Sequence, residues 1–282
     1  MPEEPVISAA GAPQPSRLEF IIAGDSHLFS MGASQGYAEP VSLMPIEIAE
    51  RGYFLMEQWR SGRSGSYWDG LVKHAEGRAA VLVVMGNQHF GNFLLTRMPL
   101  FDFVDPMDPG HALYPGAVVV PRRMVKALPV LNSKWLRDLI LHLRAHGCRY
   151  VFVIGTPPVR EDFGDYVDEI RKHDFWREAA TSMGVDIATC SFTPAPIMKR
   201  LWGMLQESLA DAARETGARF VPVPKEAIDA GGYLSAQYRG PLADFTHANH
   251  AYGRLVLEHI VRAVDEVATE SVSPSARSGA SV

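Results

Sequence analysis

Short apolar runs alternate along the chain with longer stretches whose apolar residues recur at helical spacing. Near-continuous apolar runs are typical of parallel strands buried on both faces. Such runs lie at residues 18–23, 46–48 (a weaker one), 80–85, 149–154 and 218–223. The predicted helices are residues 68–76, 133–146 and 196–216, and a last helix with Leu255, Val256, Ile260, Val261 and Val264. This alternation predicts an α/β fold in which a mostly parallel five-stranded sheet has helices on both faces.

Composition changes this picture little. Hydrophobic residues make up 47% of the chain and charged residues 21%, as in ordinary globular proteins. A net charge of −5 and the lack of any basic run argue against a nucleic-acid partner. The two cysteines, Cys148 and Cys190, cannot form a disulfide framework and indicate a reducing compartment. We expect both to be small core residues.

The two ends differ in composition from the rest. Residues 1–16 are rich in Pro, Ala and Glu and lack the basic start and apolar core of a secretory signal. Residues 269–282 are rich in Ser, Ala and Gly. We therefore expect a disordered leader, one domain over 17–268 and a disordered tail. No apolar run approaches the ~20 residues of a membrane span, so a cytoplasmic protein without a membrane partner is expected.

Candidate chemistry begins at the turn Gly24-Asp25-Ser26, which directly follows the first apolar run. Open α/β sheets bind ligands at the carboxyl ends of their strands, so the Ser26 hydroxyl is a candidate nucleophile. Alternatively, Asp25 and Ser26 cap the helix that follows, since both side chains bond free N–H groups in a first turn. The turn alone does not decide between nucleophile and cap.

A second motif, Asp244-Phe245-Thr246-His247, favours the nucleophile. A serine hydroxyl needs an imidazole to take its proton, and that imidazole needs a carboxylate to fix its tautomer. Asp244 and His247 lie three residues apart, just before the last predicted helix. One loop can thus supply both the base and the group that orients it.

Together, Gly24-Asp25-Ser26 and Asp244-x-x-His247-x-Asn249 resemble the first and last blocks of the SGNH, or GDSL-type, hydrolase family. The resemblance covers almost the whole chain. It implies a flavodoxin-like three-layer α/β/α fold with strand order 2-1-3-4-5, and a triad of Ser26, Asp244 and His247. In that order the sheet's switch point lies between strands one and three.

The resemblance also implies an oxyanion hole. The family's second block, a glycine after the second strand, is best matched by Gly65 in Ser64-Gly65-Ser66, with Gly62 as the other register. Its third block, Gly-x-Asn-Asp, is matched by Gly86-Asn87-Gln88-His89, which differs at two positions. In strict register Gln88 carries the donating amide and is favoured over Asn87. The other donors would be the backbone N–H groups of Ser26 and Gly65.

The stretch 90–131 fits the alternation poorly, because it contains six prolines and is longer than an ordinary connection. Since it follows the third block, we expect it to roof the active site. Its acidic residues could recognise a cationic or polyhydroxylated substrate, although a solvated loop is favoured. Its aromatic residues could line a sugar or acyl site or form a small core of their own. These residues are Asp102, Asp105 and Asp108, and Phe90, Phe93, Phe101, Phe103 and Tyr114.

Other motifs are weaker. Ser34 lies in a Gly-x-Ser-x-Gly pattern, but neither a strand before it nor a helix after it is convincing. His142 and His146 have the spacing of a metal pair without the glutamate of the zinc-protease motif, so a solvated helix face is favoured. His27 and His89 replace the family's usual Leu and Asp, and hydrogen-bonded packing is slightly favoured over a place at the pocket rim.

No dinucleotide or phosphate-loop pattern is present, so neither a cofactor nor a metal is expected. Three functions remain open. The first is a serine esterase acting on a small or carbohydrate-linked ester, the second an O-acyltransferase with the same triad, and the third a protein of this fold that binds without turnover. The expected partner is a small-molecule ester, with acylated carbohydrates among the candidates, and the sequence does not indicate an oligomeric state.

Overall fold

The computed structural model describes residues 18–33, 39–40, 52–56, 65–86, 88–96, 100–106, 110–240 and 244–272. Its strands are β1 (Phe20–Gly24), β2 (Glu39–Pro40), β3 (Gly52–Met56), β4 (Ala79–Val83), β5 (Leu95–Thr96), β6 (Phe101–Asp102), β7 (Val118–Val119), β8 (Val151–Ile154), β9 (Ser191–Phe192) and β10 (Arg219–Val221). Its α-helices are α1 (Gly65–Ala75), α2 (Gln88–Phe93), α3 (Arg122–Asn132), α4 (Lys134–Ala145), α5 (Val167–Lys172), α6 (Asp174–Met183), α7 (Ala195–Thr216) and α8 (His250–Val272).

The main sheet has the order β10-β8-β4-β1-β3-β2. Neighbouring strands are parallel except for β2, which pairs antiparallel with β3 at one edge. The chain leaves β1 towards β3 on one side and then returns to β4 on the other side. The predicted 2-1-3-4-5 order of the parallel strands is therefore confirmed, and the switch point lies between β1 and β4.

Alternate residues of the strands face two separate cores. On one face, Phe20 and Ile22 of β1 pack with the apolar side of α8. On the other face, Ile21 and Ala23 pack with apolar residues of α1, α4 and α7. Because every strand residue of β1, β4 and β8 is buried, these strands read as unbroken apolar runs in the sequence. The predicted three-layer α/β/α architecture is confirmed.

The predicted helices at 133–146 and 196–216 correspond to α4 and α7 within a few residues. The second strand was predicted at 46–48, which lies outside the described residues, and the structure places it at Gly52–Met56. Helix α3 was not predicted. Pro121 directly precedes it as the N-cap residue, and Pro129 lies inside its last turn, where proline removes one i→i−4 hydrogen bond.

The stretch 90–131 forms part of a third core rather than an open loop. Phe90 and Phe103 are buried with Trp176 of α6 and with apolar residues of the first half of α7. Phe93 and Phe101 pack against this cluster, while Tyr114 is exposed. The aromatic residues of the stretch thus mainly build a core, one of the two alternatives that the sequence left open.

The acidic residues of the same stretch correct a prediction. Asp102 is fully buried and pairs with Arg200 of α7, which is 5% exposed, and Asp105 is buried beside Arg122. Asp102 also accepts hydrogen bonds from the backbone N–H groups of Phe103 at 2.7 Å and Tyr114 at 2.8 Å. The prediction of a solvated acidic loop is therefore wrong for Asp102 and Asp105, and Asp108 lies outside the described residues. Neither carboxylate is available to a substrate.

In the part of the chain that the structure describes, no helix combines the length and apolar character that crossing a membrane requires. Cys148 is buried, as predicted, and Cys190 is partly buried.

Replacing Asp102 with Ala should destabilise the protein strongly, because it leaves the buried Arg200 guanidinium without its counter-charge. We expect the free energy of unfolding in urea to fall by about 3–5 kcal/mol. The double variant Asp102→Ala/Arg200→Met should recover most of that loss. Asp138→Ala, which breaks an exposed pair with Lys134, is the matched control and should cost about 0–1 kcal/mol. Equal losses for Asp102→Ala and Asp138→Ala would contradict this account.

Candidate active site

The first turn of the site depends on a close approach between β1 and β4. A Cβ atom on Gly24 would lie 2.0 Å from the carbonyl oxygen of Val83, so only glycine fits there. The backbone N–H of Asp25 then donates to that same carbonyl at 3.3 Å. The turn is thus held at the carboxyl end of β4, beside the switch point of the sheet.

Asp25 and Ser26 divide the two roles that the sequence left open. The Asp25 side chain caps a 3₁₀ helix over Ser26–Met31 and accepts a hydrogen bond from the backbone N–H of His27 at 3.3 Å. The Ser26 hydroxyl lies 2.8 Å from Nε2 of His247, a residue 221 positions later in the chain. Capping therefore falls to Asp25, and the Ser26 hydroxyl faces an imidazole.

His247 is held from its other side by Asp244. Nδ1 of His247 lies 2.8 Å from both carboxylate oxygens of Asp244, and the backbone N–H of His247 donates to Oδ1 at 3.2 Å. The Thr246 hydroxyl also donates to Oδ1, at 3.2 Å. With the proton on Nδ1 shared with Asp244, Nε2 is left to accept the proton of Ser26. This arrangement can activate a serine hydroxyl.

Two carboxyl groups near His247 have shifted pKa values in opposite directions. Partial burial acts to raise the pKa of Asp244, but the hydrogen bond and charge of His247 lower it below its ordinary value. Burial raises the pKa of Asp25 to about 6, although the N–H groups of His27 and Met85 and the charge of His247 act against this rise. Asp244 is therefore the carboxylate suited to stabilise a protonated His247.

The loop that carries Asp244 and His247 is tied to the segment before it. Asn249 donates through Nδ2 to the carbonyl oxygens of Gln237 and Arg239, at 2.7 and 3.1 Å, and its Oδ1 accepts from the N–H of Tyr252 at 3.1 Å. The last contact caps the start of α8. The asparagine of the Asp-x-x-His-x-Asn motif thus fixes the loop to the helix that follows.

A buried arginine, Arg160, also supports the loop that carries Asp244 and His247. Arg160 donates to the carbonyl oxygen of Gly240 at 3.0 Å and is paired with Asp162. A Cβ atom on Gly240 would lie 2.6 Å from the carbonyl oxygen of His247, so this glycine packs directly under the loop. Arg160 and Gly240 carried no signal in the sequence, because their roles depend on contacts distant along the chain.

Helix α8 also packs tightly against the 3₁₀ helix of Ser26. Nδ1 of His250 lies 3.1 Å from the carbonyl oxygen of Ser30. A Cβ atom on Gly253 would lie 1.9 Å from that oxygen, so the helix approaches at the distance that only glycine permits. The segments of Ser26 and His247 are therefore held together by backbone packing as well as by the side chains.

The predicted oxyanion donors are only partly described. Gly65 is the first residue of α1 and Gln88 the first residue of α2. Asn87, Gly62 and Ser64, as well as the Gln88 side chain, lie outside the described residues. The strand before this turn ends at Val83, and Met85 follows with a φ of 64°, a left-handed backbone that is strained for a non-glycine residue. The choice between Gln88 and Asn87 stays a prediction.

The two unusual histidines are both buried beside these turns, not at a rim. His27 is 4% exposed, and its ring centroid lies 4.7 Å from that of His247. His89 is 3% exposed, and neither of its ring nitrogens has a hydrogen-bond partner among the described residues. Burial lowers the pKa of His89 to about 3, so its ring is neutral. For His89, the prediction of packing beside the turn is therefore right, and the prediction that this packing is hydrogen-bonded is wrong among the described residues.

The weaker sequence motifs gain little support from the structure. Ser34 lies outside the described residues. The rings of His142 and His146 lie 4.3 Å apart, and His142 also contacts Trp68. Over the described ranges, no group of three or more His, Cys, Asp or Glu side chains is placed to hold a metal ion.

Comparison with known protein sequences assigns no family to this chain, so the candidate site rests on its geometry. No protein-family model and no curated protein sequence matches the chain. A solved structure of a proposed acylhydrolase from Bacteroides fragilis is similar, with 11% identity, coverage of 91% of this chain and 90% of that one, and a TM-score of 0.46. A catalytic mutant of an acetylxylan esterase from Geobacillus stearothermophilus is also similar, with 11% identity, coverage of 87% of this chain and 94% of that one, and a TM-score of 0.44.

Asp25→Asn should change the pH dependence of stability. Because the folded pKa of about 6 lies above the ordinary aspartate value of 3.8, the folded state binds more protons between these values and loses stability as pH rises through them. The variant lacks this loss. We expect its free energy of unfolding, relative to wild type, to improve by on the order of 1–3 kcal/mol from pH 4 to pH 7.5. A relative stability that does not change with pH would contradict the assignment, and Asp168→Asn at the exposed surface is the control.

Proposed function

We propose that this protein hydrolyses a carboxylic ester through an acyl-enzyme intermediate on Ser26. The observation that carries the proposal is the continuous hydrogen-bonded path from Ser26 Oγ through the His247 ring to the Asp244 carboxylate, at 2.8 Å for each step. A nucleophile, a base and a group that orients the base are the parts that serine acyl transfer requires. The resemblance to the SGNH family agrees with this chemistry.

The first half of the reaction forms the acyl-enzyme. Ser26 Oγ attacks the ester carbonyl carbon while its proton passes to Nε2 of His247, and Asp244 stabilises the positive ring that results. The tetrahedral intermediate collapses when the bond to the alcohol oxygen breaks. The proton on Nε2 passes to that oxygen, and the alcohol leaves.

The second half releases the acid. Water gives a proton to Nε2 of His247 and its oxygen bonds to the acyl carbon. The bond between that carbon and Ser26 Oγ then breaks, and Oγ regains the proton from Nε2. In the transferase alternative, a sugar hydroxyl would take the place of water, with no other change in the triad.

The oxyanion of each tetrahedral intermediate is stabilised, in this proposal, by the backbone N–H groups of Ser26 and Gly65 and by the amide of Gln88, with Asn87 as the other candidate. Support comes from the fold: β1 and β4 are neighbours, so the turns that follow them lie at one edge of the sheet. Preformed donors at this position stabilise charge that develops only in the transition state.

The stretch 90–131 is proposed to form one wall of the substrate site. Phe90 makes an edge-to-face contact with Phe245, with 5.3 Å between the ring centroids. The ring centroid of Trp176 lies 5.7 Å from that of Phe245. Because Phe245 directly follows Asp244, the third core extends to the loop of the proposed triad. Substrate selection is therefore assigned to this core and its surroundings.

Ser26→Ala should abolish ester hydrolysis, because no other group on the path can form the acyl intermediate. We expect kcat/KM on a chain-length panel of p-nitrophenyl esters to fall by at least about 10³-fold. Ser34→Ala, which alters the other serine motif, should retain activity. Equal activity in wild type and Ser26→Ala would refute the proposal. Product analysis with an added sugar acceptor would separate hydrolysis from acyl transfer, and a wild type that turns over no ester would indicate a binding protein.

Gln88→Ala should lower kcat by about 10²–10³-fold with little change in KM, since an oxyanion donor acts mainly on the transition state. Asn87→Ala is the matched comparison and should have a much smaller effect. The reverse order of the two effects would assign the donor to Asn87. Small effects from both would remove a side-chain amide from the oxyanion hole.

A further inference from the structure

His27 contacts the proposed base directly. Its ring centroid lies 4.7 Å from that of His247, and the two ring planes meet at 50°. This contact is separate from the hydrogen bonds that His247 makes to Ser26 and Asp244. The His247 ring is thus bounded by Ser26 at Nε2, by Asp244 at Nδ1 and by His27 on the side of its ring.

The other side of the His27 ring lies against Gly86. A Cβ atom on Gly86 would fall 1.9 Å from Cδ2 and 2.0 Å from Nε2 of His27, too close for any real side chain. The φ of Gly86 is not in the left-handed region, whereas Met85 before it has a φ of 64°. Glycine at position 86 is therefore required by the space that the His27 ring occupies and not by the backbone conformation.

Asp25 fixes the backbone on both sides of this contact. Its carboxylate accepts hydrogen bonds from the N–H of His27 and from the N–H of Met85. One side chain therefore holds the residue that bears the ring and the residue before the glycine on which the ring packs. The His27 ring, 4% exposed, has little freedom to leave its place.

We infer that His27 is a positioning residue, whose ring fills the space between the Gly86 turn and His247 and keeps the His247 ring aimed at Ser26. The inference rests on the proposed function. It assigns the effect to the shape of the ring, since the two rings pack at a tilt of 50° with their centroids 4.7 Å apart. A displacement of about 1 Å at a reacting group costs ~10²-fold in rate.

The first test compares His27→Ala with His27→Phe. Removal of the ring should lower kcat on a p-nitrophenyl ester by about 10–100-fold with KM nearly unchanged, because the substrate is still bound but the base is misaligned. Phe keeps a flat ring of similar size and should restore most of kcat. In the proton NMR spectrum, the resonance of the His247 Nδ1–H shared with Asp244 should broaden in His27→Ala and persist in His27→Phe.

A second test does not depend on removing the ring. Gly86→Ala should displace His27 and lower kcat, while Gly203→Ala in α7, where an added Cβ meets nothing within 4 Å, is the matched control. In a double-mutant cycle, Gly86→Ala should add little further loss in the His27→Ala background, because the displaced ring is already absent. Full additivity would show that Gly86 acts without His27.

The outcomes separate this inference from the function on which it rests. If wild type has no activity that Ser26→Ala removes, the proposed function fails. If that activity exists but His27→Ala has the kcat of wild type, or His27→Phe is as impaired as His27→Ala, the positioning role is overturned while the esterase proposal stands. Thermal unfolding of each variant shows whether a loss of kcat comes from loss of folded protein.

Discussion

The hydrogen bond between Ser26 Oγ and His247 Nε2 is the interaction on which the site depends, and it joins residues 221 positions apart. Neither residue can hold the other in place alone. The tight packing of α8 on the 3₁₀ helix at Gly253, the cap at Asn249 and the support of Gly240 by Arg160 all act on the two segments that carry them. These three contacts therefore support one hydrogen bond.

The sheet supplies the second constraint. Because β1 and β4 are neighbouring parallel strands at the point where the strand order reverses, their carboxyl ends lie side by side and the turns after them meet. The close contacts of Gly24 with the Val83 carbonyl and of Gly86 with the His27 ring leave no space for a Cβ atom. Asp25 bridges the two turns with a carboxyl group whose pKa burial raises to about 6. Burial of this ionised carboxylate lowers the stability of the folded protein at neutral pH. Such a cost is consistent with a place where geometry is fixed for function.

The sequence predicted the elements whose side chains are buried on both faces or along one long stripe. β1, β4, β8, α4 and α7 belong to this group, because such burial leaves a local pattern in the sequence, which is a continuous apolar run for these strands and a helical period for these helices. Contacts between distant residues leave none. The pairing of Asp102 with Arg200, the core formed by 90–131 with α6 and α7, and the packing of His27 on Gly86 depend on partners that the sequence does not identify. For the site, the motifs indicated Ser26, Asp244 and His247, which the fold brings together, but not the residues that hold them.

The most direct test of the central claim is to label the protein with a fluorophosphonate and map the adduct by peptide mass spectrometry. We expect a single phosphonate on Ser26, formed rapidly in wild type and at least about 10³-fold more slowly in His247→Ala, because the serine then has no base. An adduct on another residue, or labelling of Ser26 at the same rate in both proteins, would contradict it.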